Sequence, residues 1–361
     1  MLVKTKDLIE GCILSEDVVS LTNRPIIPNK TVLTNELIEF LNAFLIRKVK
    51  VQKTLVNGLP FIPSEILEEE KVDSIPIEKE TGLLELFLEA SRDYKREFLQ
   101  WQSGLALDIT KIRNILLPLV DKLEENSGEI FSLHHLSTEK EYMSQHSIAV
   151  GLLSAFIGKK LKYSKGDIVQ LALAGCLADC GMAKIPPHLI SKNAALTNTE
   201  FEEIKNHPTY SYRMIQGNPL LRDGAKVAIF QHHERLDGSG YPQGEKSQMI
   251  HPFAKIIAVA DTFHAMTSAR LYRKKQSPFK VLEMIIEDNF GKFDIEAIQA
   301  LQSGIMTFSI GSQVKLSNGQ VAEILFIEEK SPTRPLIKLT ETQEIIQLVK
   351  NRDIFIEEVI L

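Results

Sequence analysis

The sequence predicts a multidomain, mainly α-helical protein with a small α+β N-terminal module and a small β-barrel-like C-terminal tail. Three observations predict it. Apolar residues recur at helical spacing through the middle of the 361-residue chain, as helices require when one stripe faces a core. From Ile310 onward the apolar residues alternate instead, which is the period of strands. Residues 62–82, which include PSEILEEEKVDSIPIEKETG, hold many acids, few aromatics and internal prolines, a composition that favours a solvated linker.

Each element follows in order. Within residues 1–60, VKTKDL and RPIIPNKTVL read as short extended stretches, ELIEFLNAFLI as an amphipathic helix and VKVQKTLV as a closing strand. Residues 61–125 contain the linker and two connecting helices, Leu83 to about Trp101 and one opened by Asp108 as N-cap. Residues 126–308 are nearly all helix. Segments 141–161 and 167–180 are apolar helices, and Pro186 and Pro187 then mark a loop. Thr197 and Glu200 have capping-box spacing, and Pro208 is expected to bend or end the helix beside His207. Further helices fit 223–234, 253–269 and 278–289. In residues 309–361, VKLSNGQVAEILFI forms two strands around Asn318-Gly319, and PLIKL, EIIQLV and IFIEEVIL add more.

Composition narrows the function classes. The net charge is −5 and the pI about 6.0, which gives no general affinity for nucleic acid or anionic lipid. No apolar run is expected to reach bilayer length, and MLVKTKDLIEG lacks an apolar signal core. A cytoplasmic location is the expectation. Cys12, Cys176 and Cys180 are too few for a zinc knuckle and read as buried thiols.

Six candidate metal ligands fall in the helical region: His146, Asp179, His207, His232, His233 and Asp261. Imidazole and carboxylate together suit iron, manganese or zinc. A lone histidine on an apolar helix is ordinarily a packed residue. These stand in longer strings: HHERLDGSGYP at 232–242, EFEEIKNHP at 200–208 and IIAVADTFHAMTSARLYR at 256–273.

On those strings the sequence resembles the HD-GYP family, a branch of the HD-domain metal-dependent phosphohydrolases that hydrolyse cyclic di-GMP. The resemblance covers about 140–308. It implies a helical bundle of the kind that holds two, sometimes three, metal ions, and one or two divalent ions, iron or manganese, are the expectation for this chain. His146 matches the first metal-binding histidine, and Asp179 the bridging aspartate of the His-Asp pair. His207, His232 and His233 match the ligands of one ion, and Asp261 a ligand of the other. Tyr142 stands where some members carry a third-ion glutamate, so no third ion is expected. Tyr241 of the Gly240-Tyr241-Pro242 turn, with Arg270 and Arg273, matches groups that meet the nucleotide and its phosphates. Two cations sharing a carboxylate can also share a water and acidify it for in-line attack on phosphorus, and the leaving oxygen then needs a proton donor.

The chain departs from the family at several positions. Ala178 replaces the histidine of the His-Asp pair, so the ion of His146 and Asp261 loses one ligand. Met182 replaces the lysine expected beside the reacting phosphate, and Lys184 is out of phase to substitute for it. His264 stands where an aspartate is usual and Ala269 where another acid is. His264 is one turn from Asp261 on a helix face, so it is a candidate seventh ligand in place of the missing imidazole. The reading that follows is a metal-binding, cyclic di-GMP-binding protein impaired in turnover. Its rivals are an active phosphodiesterase giving pGpG or GMP, and a scaffold docking GGDEF or adaptor proteins. A homodimer is compatible with either.

Overall fold

The computed structural model describes residues 1–361 except 20–24, 45, 68–81, 126–128, 269–275, 288–290, 307–309, 329–330 and 361. Most of the expected linker therefore lies outside the described residues.

At the N-terminus, β1 (Leu2–Lys4) pairs antiparallel with β4 (Lys48–Lys50), and β2 (Val18–Val19) with β3 (Pro25–Ile27). Helix α1 (Asn35–Ala43) lies between β3 and β4, and the Thr34 side chain accepts the Leu37 N–H at its start. Val3, Leu14, Leu33, Leu41 and Val51 are fully buried in a core that draws only on residues between Val3 and Phe61.

Two long helices follow, α2 (Leu83–Gln102) and α3 (Ile109–Glu125). Asp108 accepts the Thr110 N–H at 2.9 Å, as expected of the N-cap. The bundle centre is α4 (Tyr142–Lys160), in which every residue from Ser144 to Gly158 is buried. A helix apolar on all sides must be enclosed on all sides. Helices α5 (Lys165–Leu177), α9 (Asp223–Gln231), α10 (Pro252–Thr267) and α12 (Ile295–Ile305) pack in the same core, together with α11 (Pro278–Glu287).

Between α5 and α9 the chain is more broken than expected. A 3₁₀ turn covers Cys180–Lys184. The loop expected at Pro186 and Pro187 is instead a short helix, α6 (Pro187–Ile190), because proline fits the first helical turn, whose N–H has no partner to lose. The Thr197–Glu200 capping box is formed and opens α7 (Asn198–Ile204). The helix does break just before His207, as expected, but Pro208 lies beyond the break. It sits in the first turn of a new one, α8 (His207–Ile215).

The tail is an antiparallel sheet of β5 (Gln313–Leu316), β6 (Val321–Phe326), β7 (Leu336–Leu339), β8 (Ile345–Gln347) and β9 (Ile356–Ile360), in the order β8-β7-β6-β5-β9. Gly319 of the β5–β6 turn has φ +83°, the conformation that tight hairpins demand. Strands β8 and β9 are the edges, so among the described residues the sheet is open and not a closed barrel. Its buried face, Val314, Leu316, Ala322, Ile324, Ile337 and Leu339, belongs to the core of the helical bundle.

The expectation about apolar runs needs one correction. Lys165–Lys184 is long and apolar enough to cross a membrane by length and composition, although 67% of its window is buried inside the fold. Its apolar surface meets α4 and α9, with Leu171, Ala174 and Leu177 fully buried. Cys12, Cys176 and Cys180 are free and buried, as expected, and burial pushes the Cys180 thiol up to about 12.

Candidate metal centre

Asp179 caps the 3₁₀ turn after α5, and five other segment positions aim side chains at it. His146 comes from the second turn of α4, His207 from the first residue of α8 and Asp261 from α10. His232 and His233 lie just beyond the last turn of α9, which ends at Gln231 and is shorter than expected.

Asp179 is the shared member. Its Oδ1 is 3.1 Å from His207 Nε2 and 3.4 Å from His232 Nε2, and its Oδ2 is 3.5 Å from His146 Nε2. Asp261 Oδ1 is 3.0 Å from His146 Nε2, and its Oδ2 is 3.6 Å from His233 Nδ1. Two groups of donors result: Asp179, His207, His232 and His233, and His146, Asp179 and Asp261. Within each, one ligand atom per residue lies within 4.8 Å of all the others.

The donor chemistry fits a cation. His207 Nδ1 is 2.7 Å from the Ile204 carbonyl, and His232 Nδ1 is 2.7 Å from the Ile229 carbonyl. A carbonyl only accepts, so each Nδ1 carries the proton and each neutral ring presents a bare Nε2. Those two Nε2 atoms face each other at 3.2 Å. Asp179 Oδ1, beside them, is buried without a hydrogen-bond partner among the described residues. Lone pairs converging on one point need a positive charge at that point.

Electrostatics follow the same grouping. Burial raises the Asp179 carboxyl, but the imidazoles of His146, His207 and His232 outweigh it and hold the acid well below the usual carboxylate range. Asp261 is held low in the same way by His146 and His233, against burial. Burial lowers the His146 imidazole, while Asp179 and Asp261 raise it to a net upward shift. Burial and the neighbouring His232 push His233 down.

The backbone around Asp179 is clamped. Ser211 Oγ on α8 donates to the Ala178 carbonyl at 2.6 Å and accepts the Gly181 N–H at 2.8 Å. A Cβ at Gly181 would overlap the His207 carbonyl and the Ser211 nitrogen, so only glycine lets the turn approach α8 this closely.

The remaining expected residues are placed as follows. Ala178 is buried, and Met182 lies half-buried on the 3₁₀ turn. Lys184 turns its ammonium to the Trp101 carbonyl at 3.0 Å, which agrees with its being out of phase. Tyr241 stands beside the cluster, its ring 4.6 Å from that of His233, on a cis Tyr241-Pro242 bond. His264 reaches the cluster from behind: its Nδ1 is 2.9 Å from His146 Nδ1, the nitrogen remote from Asp179 and Asp261, and neither donor group includes it. Ala269, Arg270 and Arg273 lie outside the described residues.

Several contributors escape the sequence reading. Buried Glu234 accepts the N–H groups of Gln243, Gly244 and Glu245 at 2.8–3.1 Å and so holds the loop that follows Tyr241. Its only signal is its place between the histidine pair and the Gly-Tyr-Pro turn. Lys205 brings a cation to the rim, 4.9 Å from the Phe201 ring centre and 5.8 Å from that of Tyr241. A separate cavity of about 700 Å³, lined by residues such as Lys30, His135 and Lys315, shares no residue with the cluster.

A helical bundle with histidines and aspartates converging on one carboxylate is the architecture of an HD domain, and residues 133–297 match the family described by that name. The chain is 28% identical over 246 residues to a cyclic di-GMP phosphodiesterase of Pseudomonas aeruginosa, covering 67% of this chain and 58% of that one. It is 36% identical over 177 residues to a cyclic di-GMP phosphodiesterase of Thermotoga maritima, covering 48% of each. The chain thus spans about half the length of the curated relatives it matches. A solved HDG"Y"P protein from Bdellovibrio bacteriovorus shares the fold at a TM-score of 0.51 and 14% identity, covering 84% of this chain and 98% of that one. The helical region is an HD domain of the HD-GYP type.

Proposed function

We propose that this chain is a metal-binding HD-GYP protein that binds cyclic di-GMP and acts through that binding, with hydrolysis impaired. The observation that carries the reading is the asymmetry of the cluster. Asp179 is shared by one group of four donors and one of three, and the resemblance assigns the histidine replaced by Ala178 to the smaller group. Relatives named as cyclic di-GMP phosphodiesterases supply the nucleotide class.

Asp179, His207, His232 and His233 would hold one ion, and His146, Asp179 and Asp261 a second. Iron(II) or manganese(II) suits this oxygen and imidazole set. Such ions supply Lewis acidity and an acidified water for attack on a phosphodiester. The chain's own residues do the rest. Tyr241 walls the cluster beside His233, and Lys205 offers a cation to a phosphate at the rim. Met182 has no proton to give a leaving oxygen, and losing one positioned donor typically costs about 10²- to 10⁴-fold in rate. The proposed organisation remains four-part: 1–60, 61–125, 126–308 and 309–361.

The rival reading, an active phosphodiesterase, draws on the intact four-donor group. Turnover of cyclic di-GMP by purified protein, loaded anaerobically with iron(II) or with manganese, decides between them. The expected result is nucleotide binding without product, with pGpG appearing only in the Ala178→His, Met182→Lys double variant. Steady release of pGpG or GMP by the unaltered protein, abolished by Asp179→Ala, would overturn the impaired reading. Failure to bind either metal or nucleotide leaves a scaffold.

A further inference from the structure

We propose that His264 is a positioning residue. It fixes His146 with a bare Nε2 toward the ion through a buried relay from Ser268 to His264 to His146. The inference rests on the metal-binding reading above.

His146 is the only imidazole in its donor group. To ligate, its Nε2 must be unprotonated, and a neutral ring then carries its proton on Nδ1. That proton needs an acceptor. His207 and His232 lie at helix ends and find one in the Ile204 and Ile229 carbonyls. His146 lies inside α4, in its second turn, where neighbouring carbonyls are committed to the helix ladder. Its Nδ1 meets His264 Nδ1 at 2.9 Å instead.

The hydrogen positions then follow along the relay. His264 accepts at Nδ1, so its own proton is on Nε2, and Ser268 Oγ lies 3.2 Å from that atom and 3.3 Å from Nδ1. His146, His264 and Ser268 are 2%, 4% and 0% exposed, so water does not compete for these bonds. The His146 ring is also held on one face by Tyr142, stacked on it at 5.1 Å. One helix, α10, delivers Asp261 in front of His146 and, three residues on, the acceptor behind it. An outer partner of this kind typically strengthens metal binding 10- to 100-fold.

Two substitutions separate this role from others. His264→Leu keeps the branching and loses the acceptor, whereas His264→Asn places Oδ1 where Nδ1 stood. Manganese binding is measured by titration calorimetry on the full chain, and folding by circular dichroism. In His264→Leu one of two ions should bind about 10- to 100-fold more weakly while the other is unchanged. His264→Asn should restore it. In zinc-loaded protein, ¹⁵N shifts should show His146 protonated at Nδ1.

Unchanged affinity in His264→Leu overturns the proposal, and so does equal loss in both variants, which would mean direct ligation or a purely structural role. Should His264→Leu fail to fold, an unprotonated His146 Nδ1 overturns it by itself. A wild type that takes up a single ion overturns this inference and leaves the metal-binding reading standing. One that takes up none removes both.

Discussion

At position 178 a buried methyl group precedes Asp179, the residue common to both donor groups, and the group around His146 has three members where its neighbour has four. Restoring an imidazole should therefore act on one ion alone. Ala178→His is expected to raise the manganese affinity of the weaker site by about 10-fold or more and leave the stronger one unchanged, as two-site calorimetry would show. The six ligand candidates were legible because their identities and spacings sit in distinctive strings, and the structure brings the other five together around Asp179. His264 was legible only as a residue sharing a helix face with Asp261. Which of the two sides of His146 it would meet depends on how α4 and α10 cross, and no local pattern encodes that crossing. Glu234 and Ser211 were not legible for a related reason. Both act on backbone groups of segments whose paths only the fold defines.

Among the elements, the contact between the 3₁₀ turn and α8 governs the site. Gly181→Ala would force the two apart, at a cost of about 1–3 kcal/mol for overpacking. Urea unfolding should show that loss, with weaker metal binding because Asp179 and His207 separate. Helix α7 gives a pH prediction. Glu200 is lowered from 4.5 to about 2, first by its bond from Lys192 and then by the Thr197 N–H. A depressed carboxyl contributes stability that is present above its unfolded value and is lost as pH falls through the folded one. Amide protection in Asn198–Ile204 should thus fall between about pH 4.5 and 2, and Glu200→Gln should flatten that dependence. The capping box was readable because it is a purely local device. Pro208 marked the break, but not the new helix it opens, because proline is compatible with both the end of one helix and the first turn of the next. The position of His207, which decides it, is fixed by Asp179 across the bundle.

For the molecule as a whole, Arg334 ties the sheet to α11. Its Nε and Nη2 each lie 2.7 Å from a Glu283 oxygen, and its Nη1 donates to the Leu348, Asn351 and Ile354 carbonyls. Arg334→Met would leave buried Glu283 with only the looser Lys280 contact at 3.6 Å, a loss approaching about 3–5 kcal/mol. Thermal unfolding should register it, and adding Glu283→Leu should recover much of the loss. Alternation in VKLSNGQVAEILFI revealed which face of the tail is apolar but not what that face meets. Apolar spacing specifies burial without naming a partner, so the shared core of sheet and bundle could not be read from it.

That sharing has a consequence for how such chains can be recombined over evolutionary time. Exchanging the leading sixty residues for another module would spare the main core apart from contacts at Ile13, Val32 and Val56. Exchanging the tail would strip away Val314, Leu316, Ile324 and Ile337, each fully enclosed. The front of the chain is thus free to be traded for new inputs, whereas the back is inherited with the bundle it completes.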